Sequence, residues 1–303
     1  MANGVIAQLD ELIDFRRYAL MTSYHPQGKG ARAGGHLSKF RGRGMDFSEA
    51  RHYQAGDEVR HMEWRVTART GRPHVKIFQE ERERPVVLLV DFNPSMHFGT
   101  RHAFKSVVAA RLASLLAWMT VQQGDRIGGL FFSARQHSEF MPRARERAVL
   151  PMLSSLSHYT QESVMNDETP ARPLSDALLR VRRVVRPGST IVLISDLYAF
   201  DEECIAHLAR LRAHNEVLVY HISDPVELAL PKSHCYGVTD GKTPFVFNTH
   251  SATLQAAYSN YCTQRLYQLE AQCRQAQSDY LSLTTATDLP LLVRRTFLRR
   301  TYG

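Results

Sequence analysis

The chain has 303 residues, of which 44% are hydrophobic and 22% are charged, and its formal net charge is +8. This composition is typical of a folded globular protein and excludes wholesale disorder, while four well-separated cysteines exclude a disulfide-stapled scaffold. The longest apolar stretch, residues 107–121, is interrupted by Arg111 and is too short to span a bilayer. Acidic residues at 10, 11 and 14 stand where a signal peptide needs an apolar core, so we expect a cytoplasmic protein.

The first part of the chain, residues 1–84, is predicted to be an N-terminal helix followed by an irregular extension rich in Gly and Arg. Leu9 and Leu12 lie at helical spacing and indicate an amphipathic helix over residues 5–22. Six glycines follow within residues 26–46 and favour a loop.

Residues 41–84, which we call the signature segment, mix aromatic, basic and acidic residues at irregular spacing. A turn is predicted over residues 54–57, and Asp57 is predicted to cap a short helix that runs through Trp64. A buried Trp64 ring would make Trp64→Ala cost ~3–5 kcal/mol. We weigh an internal ion-pair network equally against a guanidinium cluster that grips an acidic partner or phosphates. The charged residues concerned are Arg51, Arg60, Arg65, Arg69, Glu49, Asp57, Glu58 and Glu63.

From residue 85 onward, short apolar runs alternate with longer helical patterns. Such runs are typical of strands that are buried on both faces, and their alternation with helices indicates a parallel sheet. We therefore predict an α/β domain over residues 85–303, with a doubly wound, mostly parallel sheet. The predicted strands are 86–91, 126–132, 190–196, 216–222 and 280–283, and the predicted helices are 101–123, 146–159, 173–186, 201–214 and 251–277.

Two of these strands end in an aspartate, Asp91 and Asp196, and ligands of such sheets bind beyond the carboxyl ends of the strands. Asn93 and Ser95 follow Asp91 at a spacing of two, so four oxygen-bearing side chains would meet at one edge. Oxygen ligands suit a hard cation such as Mg²⁺. The competing interpretation is that each aspartate caps the next turn or helix, and spacing alone favours it.

The signature segment and the strand after it resemble the bacterial DUF58 family, whose members carry a von Willebrand factor A-like domain. The family pattern is roughly G-x-G-x-E-F, then R-x-Y-x-x-G-D-D-x-R-x-I-D-W-x-x-S-A-R, then a strand that ends D-x-S-x-S-M. The matching residues are Gly42, Gly44, Asp46, Phe47, Arg51, Tyr53, Gly56, Asp57, Glu58, Arg60, Met62, Glu63, Trp64, Ala68, Arg69, Asp91, Asn93, Ser95 and Met96.

The resemblance implies a metal-ion-dependent adhesion site at the sheet edge, with Mg²⁺ or Mn²⁺ held by Asp91, Asn93, Ser95 and Asp196. Such a site keeps an open position for an acidic residue of a partner protein. It also implies a MoxR-type AAA+ ATPase as the partner and a role in chaperone-like assembly. The residues expected to bind the partner are Arg51, Tyr53, Asp57, Arg60, Trp64, Arg69 and Arg172.

This chain departs from the family pattern in two places. Asn93 replaces the middle serine but still offers an amide oxygen. Arg172 stands where the family has a threonine, and Thr169 lies three residues earlier. An arginine beside two aspartates would replace the cation by pairing with them. Whether the degenerate site holds Mg²⁺, Mn²⁺, Arg172 or only water is open at this point.

We expect the chain to be a non-enzymatic protein-interaction module. One alternative is a nucleic-acid-binding protein, although the basic residues are interleaved with acids and no nucleic-acid motif is present. Another is a metal-dependent hydrolase that uses Asp91 and Asp196. A peripheral membrane contact also remains open, because a basic surface attracts anionic lipid. The arginines of the nucleic-acid alternative are Arg41, Arg43, Arg51, Arg60, Arg65, Arg69, Arg294, Arg295, Arg299 and Arg300.

Overall fold

The computed structural model divides the chain into two compact units, one of Met1–Tyr24 with Pro85–Gly303 and one of His25–Arg84. The residues that it describes are 4–22, 45–54, 57–80, 84–162, 171–231, 235–239 and 244–301. Their strands are β1 (Met45–His52), β2 (His74–Glu80), β3 (Pro85–Asp91), β4 (Arg126–Phe132), β5 (His137–Arg143), β6 (Thr190–Ser195), β7 (Glu216–Ser223), β8 (Cys235–Thr239), β9 (Pro244–Asn248) and β10 (Asp279–Thr284). Their helices are α1 (Leu9–Thr22), α2 (Trp64–Thr70), α3 (Lys105–Gln122), α4 (Val149–Gln161), α5 (Leu174–Val184), α6 (Glu202–Arg212), α7 (Pro225–Leu228), α8 (Ala252–Gln275) and α9 (Leu289–Thr301).

A six-stranded sheet in the order β10-β7-β6-β3-β4-β5 forms the centre of the larger unit. Its neighbouring strands are parallel except for the edge strand β5, which is antiparallel to β4. This arrangement confirms the predicted doubly wound, mostly parallel sheet. The chain leaves β3 toward β4 on one side and later returns to β6 on the other side, so the strand order reverses at β3.

Helices cover both faces of this sheet. Successive residues of β3 alternate between two cores, because Leu88 and Val90 join one buried cluster and Leu89 joins the other. The first cluster contains residues of α1, α3, α4 and α9, and the second contains residues of α5, α6 and α8. Burial on both sides explains why the strands carry uninterrupted apolar runs.

The N-terminal helix α1 packs with the sheet unit, which differs from the predicted division at residue 84. Leu12 and Ala19 are fully buried in the first core. Ser114 and Trp118 of α3 both donate hydrogen bonds to the carbonyl oxygen of Leu12, at 2.6 and 3.1 Å. Apolar contact and these two bonds place α1 with the sheet rather than with the segment that follows it in sequence.

The smaller unit contains the antiparallel pair β1 and β2 and the short helix α2. The amide of Asp57 donates to the carbonyl of Gln54 at 3.0 Å, and the amide of Gln54 donates to the Asp57 carboxylate at 2.9 Å. The two central residues of the predicted turn lie outside the described residues. The predicted helix through Trp64 is wrong. A single 3-10 turn, Val59–His61, ends before Trp64, and α2 begins at that residue with the Glu63 side chain as its cap.

None of the helices in the described ranges is long and apolar enough to cross a membrane.

Candidate functional site

The structure brings the two strand-end aspartates together at the carboxyl edge of the sheet. Val90 of β3 is paired with Ile194 of β6, so Asp91 and Asp196 leave neighbouring strands at the point where the strand order reverses. Ligands of doubly wound sheets bind in the crevice at this point. Both side chains are buried here, at 4% and 5% exposure.

Hydrogen bonds from the protein satisfy both oxygens of Asp91. Its Oδ1 accepts from the Asn93 amide at 2.9 Å, and its Oδ2 accepts from Ser195 Oγ at 2.8 Å. Burial, together with the charge of Asp196, raises the pKa of Asp91 to about 7.

Asp196 is paired with a buried lysine, Lys105, the first residue of α3. Asp196 Oδ2 lies 2.8 Å from Lys105 Nζ, and its Oδ1 accepts from the Tyr198 amide at 3.1 Å. Lys105 is only 2% exposed, and its ammonium also donates to Glu227 Oε1 at 2.7 Å. Burial alone would lower the pKa of Lys105, but the charges of Asp196 and Glu227 outweigh it and the pKa is raised. We call Asp91, Lys105, Asp196 and Glu227 the edge cluster.

The α7 segment holds Glu227 in place. Asp224 and Glu227 form a capping box, in which the amide of Asp224 donates to Glu227 Oε2 at 2.7 Å. Asp224 Oδ2 accepts bonds from the Thr100 amide at 3.0 Å and from Thr285 Oγ1 at 2.9 Å. The charged groups therefore link the carboxyl ends of β3, β6, β7 and β10.

His221 of β7 lies beside the edge cluster as a neutral group. Burial lowers its pKa to about 4, despite the nearby charge of Asp196. Its Nδ1 is 2.7 Å from the hydroxyl of Tyr280. The cluster thus gains no positive charge from this imidazole at neutral pH.

Arg172 lies beside Asn93 at the carboxyl edge of the sheet, but its guanidinium contacts His137 rather than the two aspartates. Its backbone forms two hydrogen bonds with the Asn93 amide group, at 2.9 and 3.0 Å. Its guanidinium lies 3.0 Å from Nδ1 of His137. The hypothesis that Arg172 pairs with the two aspartates is therefore corrected: Lys105 pairs with Asp196, and Asp91 accepts hydrogen bonds from Asn93 and Ser195. Thr169 lies outside the described residues.

These side chains do not fit a resident divalent cation. The oxygens of Asp91 and Asp196 all accept hydrogen bonds, although a carboxylate oxygen that accepts one bond can still coordinate a cation. What opposes a cation here is the Lys105 ammonium, which already contacts Asp196 Oδ2 at 2.8 Å. The amide of Asn93 is used by the Arg172 backbone, and Ser95 is half-buried in the short turn Pro94–Met96. Within the described ranges, no three His, Cys, Asp or Glu side chains are grouped so as to hold a metal.

Beside Arg172, a second arginine approaches the same imidazole. Arg180 Nη1 lies 3.4 Å from His137 Nε2, and Glu139 is 3.7 Å from that nitrogen. We call His137, Arg172 and Arg180 the rim cluster. It combines residues of β5, of α5 and of the loop before α5.

The charged side chains of the signature segment range from partly buried to exposed. Arg51 pairs with Asp57 at 2.7 Å, and Arg60 pairs with Glu58 at 2.6 Å. The bond from Arg60 lowers the pKa of Glu58. The Trp64 ring is 63% exposed, and Tyr53 and Arg69 are also exposed. The two ion pairs support the interpretation of this segment as an internal ion-pair network. The solvent-facing Trp64 ring and Arg69 support the other interpretation, a surface that binds a partner. Gly42, Gly44, Gly56, Arg41 and Arg43 lie outside the described residues.

Lys105, Glu227, His137 and Arg180 were not among the residues selected from the sequence. The sequence does carry one sign that Lys105 has an acidic partner. It stands at the start of a very apolar helix, and a helix N-terminus disfavours positive charge. The sequence Asp-Pro-Val-Glu directly after β7 has the spacing of a capping box and could have indicated the position of Glu227. Nothing in the local sequence marks His137 and Arg180, which are 43 residues apart.

Comparison with known proteins identifies the family. The family model described as "Protein of unknown function DUF58" matches residues 49–266. "Uncharacterized protein Rv1480" of Mycobacterium tuberculosis is 32% identical over 200 residues, which are 65% of this chain and 61% of that protein. The match thus spans about three fifths of the relative's length.

Two solved structures are also similar to this chain at low identity. BatB from Bacteroides thetaiotaomicron covers 73% of this chain and 100% of its own, with 13% identity and a TM-score of 0.43. The match to the SpRpn10 VWA domain covers 70% of this chain and 94% of that domain's chain, with 10% identity and a TM-score of 0.38. Since the family model spans most of both the signature segment and the sheet domain, the chain belongs to the DUF58 family.

Proposed function

We propose that the chain is a non-enzymatic protein-interaction module that binds an acidic segment of a partner at the rim cluster. The observation that carries this proposal is the approach of two guanidinium groups, from Arg172 and Arg180, to the two nitrogens of one imidazole.

The chemistry of His137 supports an anionic ligand. An imidazole has at most one acceptor nitrogen, so His137 can accept a bond from Arg172 or from Arg180 but not from both. The N–H groups of the other guanidinium then face an imidazole N–H, which is itself a donor and cannot accept a hydrogen bond from them. A carboxylate offers two acceptor oxygens, which match the planar fork of an arginine. An acidic side chain that bound here would accept hydrogen bonds from guanidinium N–H groups of Arg172 and Arg180 for which His137 offers too few acceptors.

The position of the rim cluster supports the same conclusion. Asn93 holds the backbone of Arg172 at the crevice where the strand order reverses, which is the usual ligand position in such sheets. Arg180 follows about two turns along α5. The side chains are partly exposed, so a partner can reach them.

The resemblance described above suggests the partner. We propose a MoxR-type AAA+ ATPase, with the chain acting as its adaptor in chaperone-like assembly. The charge of +8 on this chain favours a partner whose docking surface is acidic.

The test is calorimetric titration of the purified chain with the MoxR-type ATPase encoded in the same genome. We expect Arg172→Gln combined with Arg180→Gln to weaken binding by about tenfold or more, because charge-assisted hydrogen bonds are lost. Arg183→Gln is the matched control, since Arg183 is an exposed arginine of α5, one turn after Arg180, that is not part of the rim cluster. Equal loss in the control and the double variant would contradict a specific rim cluster.

Two other outcomes would favour the alternatives. Binding to DNA or RNA that falls steeply with salt, without binding to the ATPase, would favour a nucleic-acid-binding protein. Metal-dependent turnover that disappears in Asp91→Asn would favour a hydrolase. Either result would replace the adaptor proposal.

A further inference from the structure

We propose that the Lys105 ammonium is the built-in cation of the edge cluster and takes the place of a divalent metal ion. This inference does not rest on the proposed function, because it concerns the charge balance of the fold itself.

The geometry supplies the first argument. Lys105 Nζ is placed between two carboxylates, 2.8 Å from Asp196 Oδ2 and 2.7 Å from Glu227 Oε1. It also lies 5.8 Å from the centre of the Phe98 ring, whose face attracts a cation. One positive group thus connects the end of β6 with α7 from the start of α3.

The position of the lysine in α3 supplies the second argument. The first turn of a helix disfavours positive charge because of the helix dipole. Burying an ammonium is also costly unless it is paired and hydrogen-bonded. Lys105 is 2% exposed at this unfavourable position, and two carboxylates compensate it there. We infer that Lys105 can be buried at this position because Asp196 and Glu227 neutralise its charge, and that Lys105 in turn neutralises theirs.

The third argument is competition for the same oxygen. A magnesium ion binds carboxylate oxygens at about 2.0–2.1 Å. An ion that coordinated Asp196 Oδ2 would stand next to the ammonium that already contacts this atom at 2.8 Å. Two positive charges this close repel each other strongly in a buried site. Lys105 and a metal ion therefore exclude each other at Asp196.

The test compares wild type with Lys105→Ala, using titration calorimetry and the thermal unfolding midpoint. We expect wild type to give no binding heat with Mg²⁺ or Mn²⁺, and an unchanged midpoint with either ion or with chelator. Lys105→Ala should unfold at a lower temperature, because it leaves Asp196 and Glu227 uncompensated. Ethylammonium, which replaces the missing group, or Mn²⁺ should raise that midpoint more than sodium at equal ionic strength.

Arg111→Ala is the matched control. It removes another cation of α3, which pairs with Glu11 at 2.6 Å away from the sheet edge. Its midpoint should show no specific response to ethylammonium or Mn²⁺. If Lys105→Ala does not fold, Lys105→Met, which keeps the side-chain volume, provides the same comparison. Stoichiometric binding of Mg²⁺ or Mn²⁺ to wild type that is lost in Asp196→Asn would overturn the proposal. So would a Lys105→Met protein as stable as wild type.

Discussion

The edge cluster and the signature segment hold their ion pairs at similar distances but in different surroundings. Lys105 and Asp196 are 2.8 Å apart with side chains that are 2% and 4% exposed. Arg60 and Glu58 are 2.6 Å apart with side chains that are 74% and 55% exposed. Water competes for the second pair and screens it, whereas the first pair depends entirely on its protein partners.

The difference in burial between the two pairs determines how much the loss of one charged residue costs in stability. Removing one member of a buried pair leaves a charge without water or counterion, so the edge cluster constrains the fold. Removing one member of an exposed pair leaves a charge that water solvates. Exposed pairs of the signature segment, such as Arg60 and Glu58, therefore add little to the stability of the described structure. An exposed ring such as that of Trp64 is available to a partner.

The largest effect is expected from breaking the buried pair. Lys105→Met should lower the free energy of unfolding by about 3–5 kcal/mol, because Asp196 and Glu227 lose their shared cation. Urea denaturation monitored by circular dichroism measures this loss. A loss below about 1 kcal/mol would show that water reaches the pair, and the contrast with the signature segment would disappear.

A smaller effect is expected from the pH dependence of the edge cluster. The pKa of Asp91 is raised from 3.8 to about 7, so the folded protein retains a proton that the unfolded chain has lost. Stability from this group therefore falls as the pH rises from about 4 to about 7. The pKa of His221 is lowered from 6.5 to about 4, so its contribution rises with pH over nearly the same range.

These two contributions oppose each other between about pH 4 and pH 6.5. Asp91→Asn should therefore make stability rise with pH in this window, by up to about 1.4 kcal/mol per pH unit, and His221→Gln should make it fall. Urea denaturation at a series of pH values measures both slopes. Parallel profiles for wild type and both variants would contradict burial as the cause of the two pKa shifts.

The smallest effect is expected in the signature segment. Trp64→Ala should change the free energy of unfolding by no more than about 0.5 kcal/mol, because the ring is 63% exposed. The other tryptophan provides the matched control. Trp118 is 2% exposed in the core, so Trp118→Ala should cost about 3–5 kcal/mol. Similar losses for the two variants would mean that Trp64 is buried in solution.

The central strands of the sheet could be predicted because they carry long apolar runs. The bounds of β3, β4, β6 and β7 lie within one residue of the predicted ones. The edge strand β5 was missed, since His137–Arg143 alternates between exposed and half-buried residues and contains Pro142. Such a segment resembles a loop until a neighbouring strand supplies its hydrogen bonds.

The candidate site was predictable only in part. The carboxyl ends of parallel strands share an edge, so the meeting of Asp91 and Asp196 follows from the strand assignments. Their partners do not follow from sequence spacing. Lys105 is 91 residues from Asp196, and Glu227 is 122 residues from Lys105. The family resemblance implied a metal or Arg172 in this place, and the side chain that the structure brings there is a lysine.

The sequence by itself specified the fold class, the family and the edge at which the charged residues meet, because hydrophobic periodicity and strand ends are local properties of the chain. Only the tertiary structure decided which cation neutralises Asp196, which residues surround His137, and that Trp64 faces solvent. These facts depend on contacts between distant segments and on access of water, and packing alone determines both.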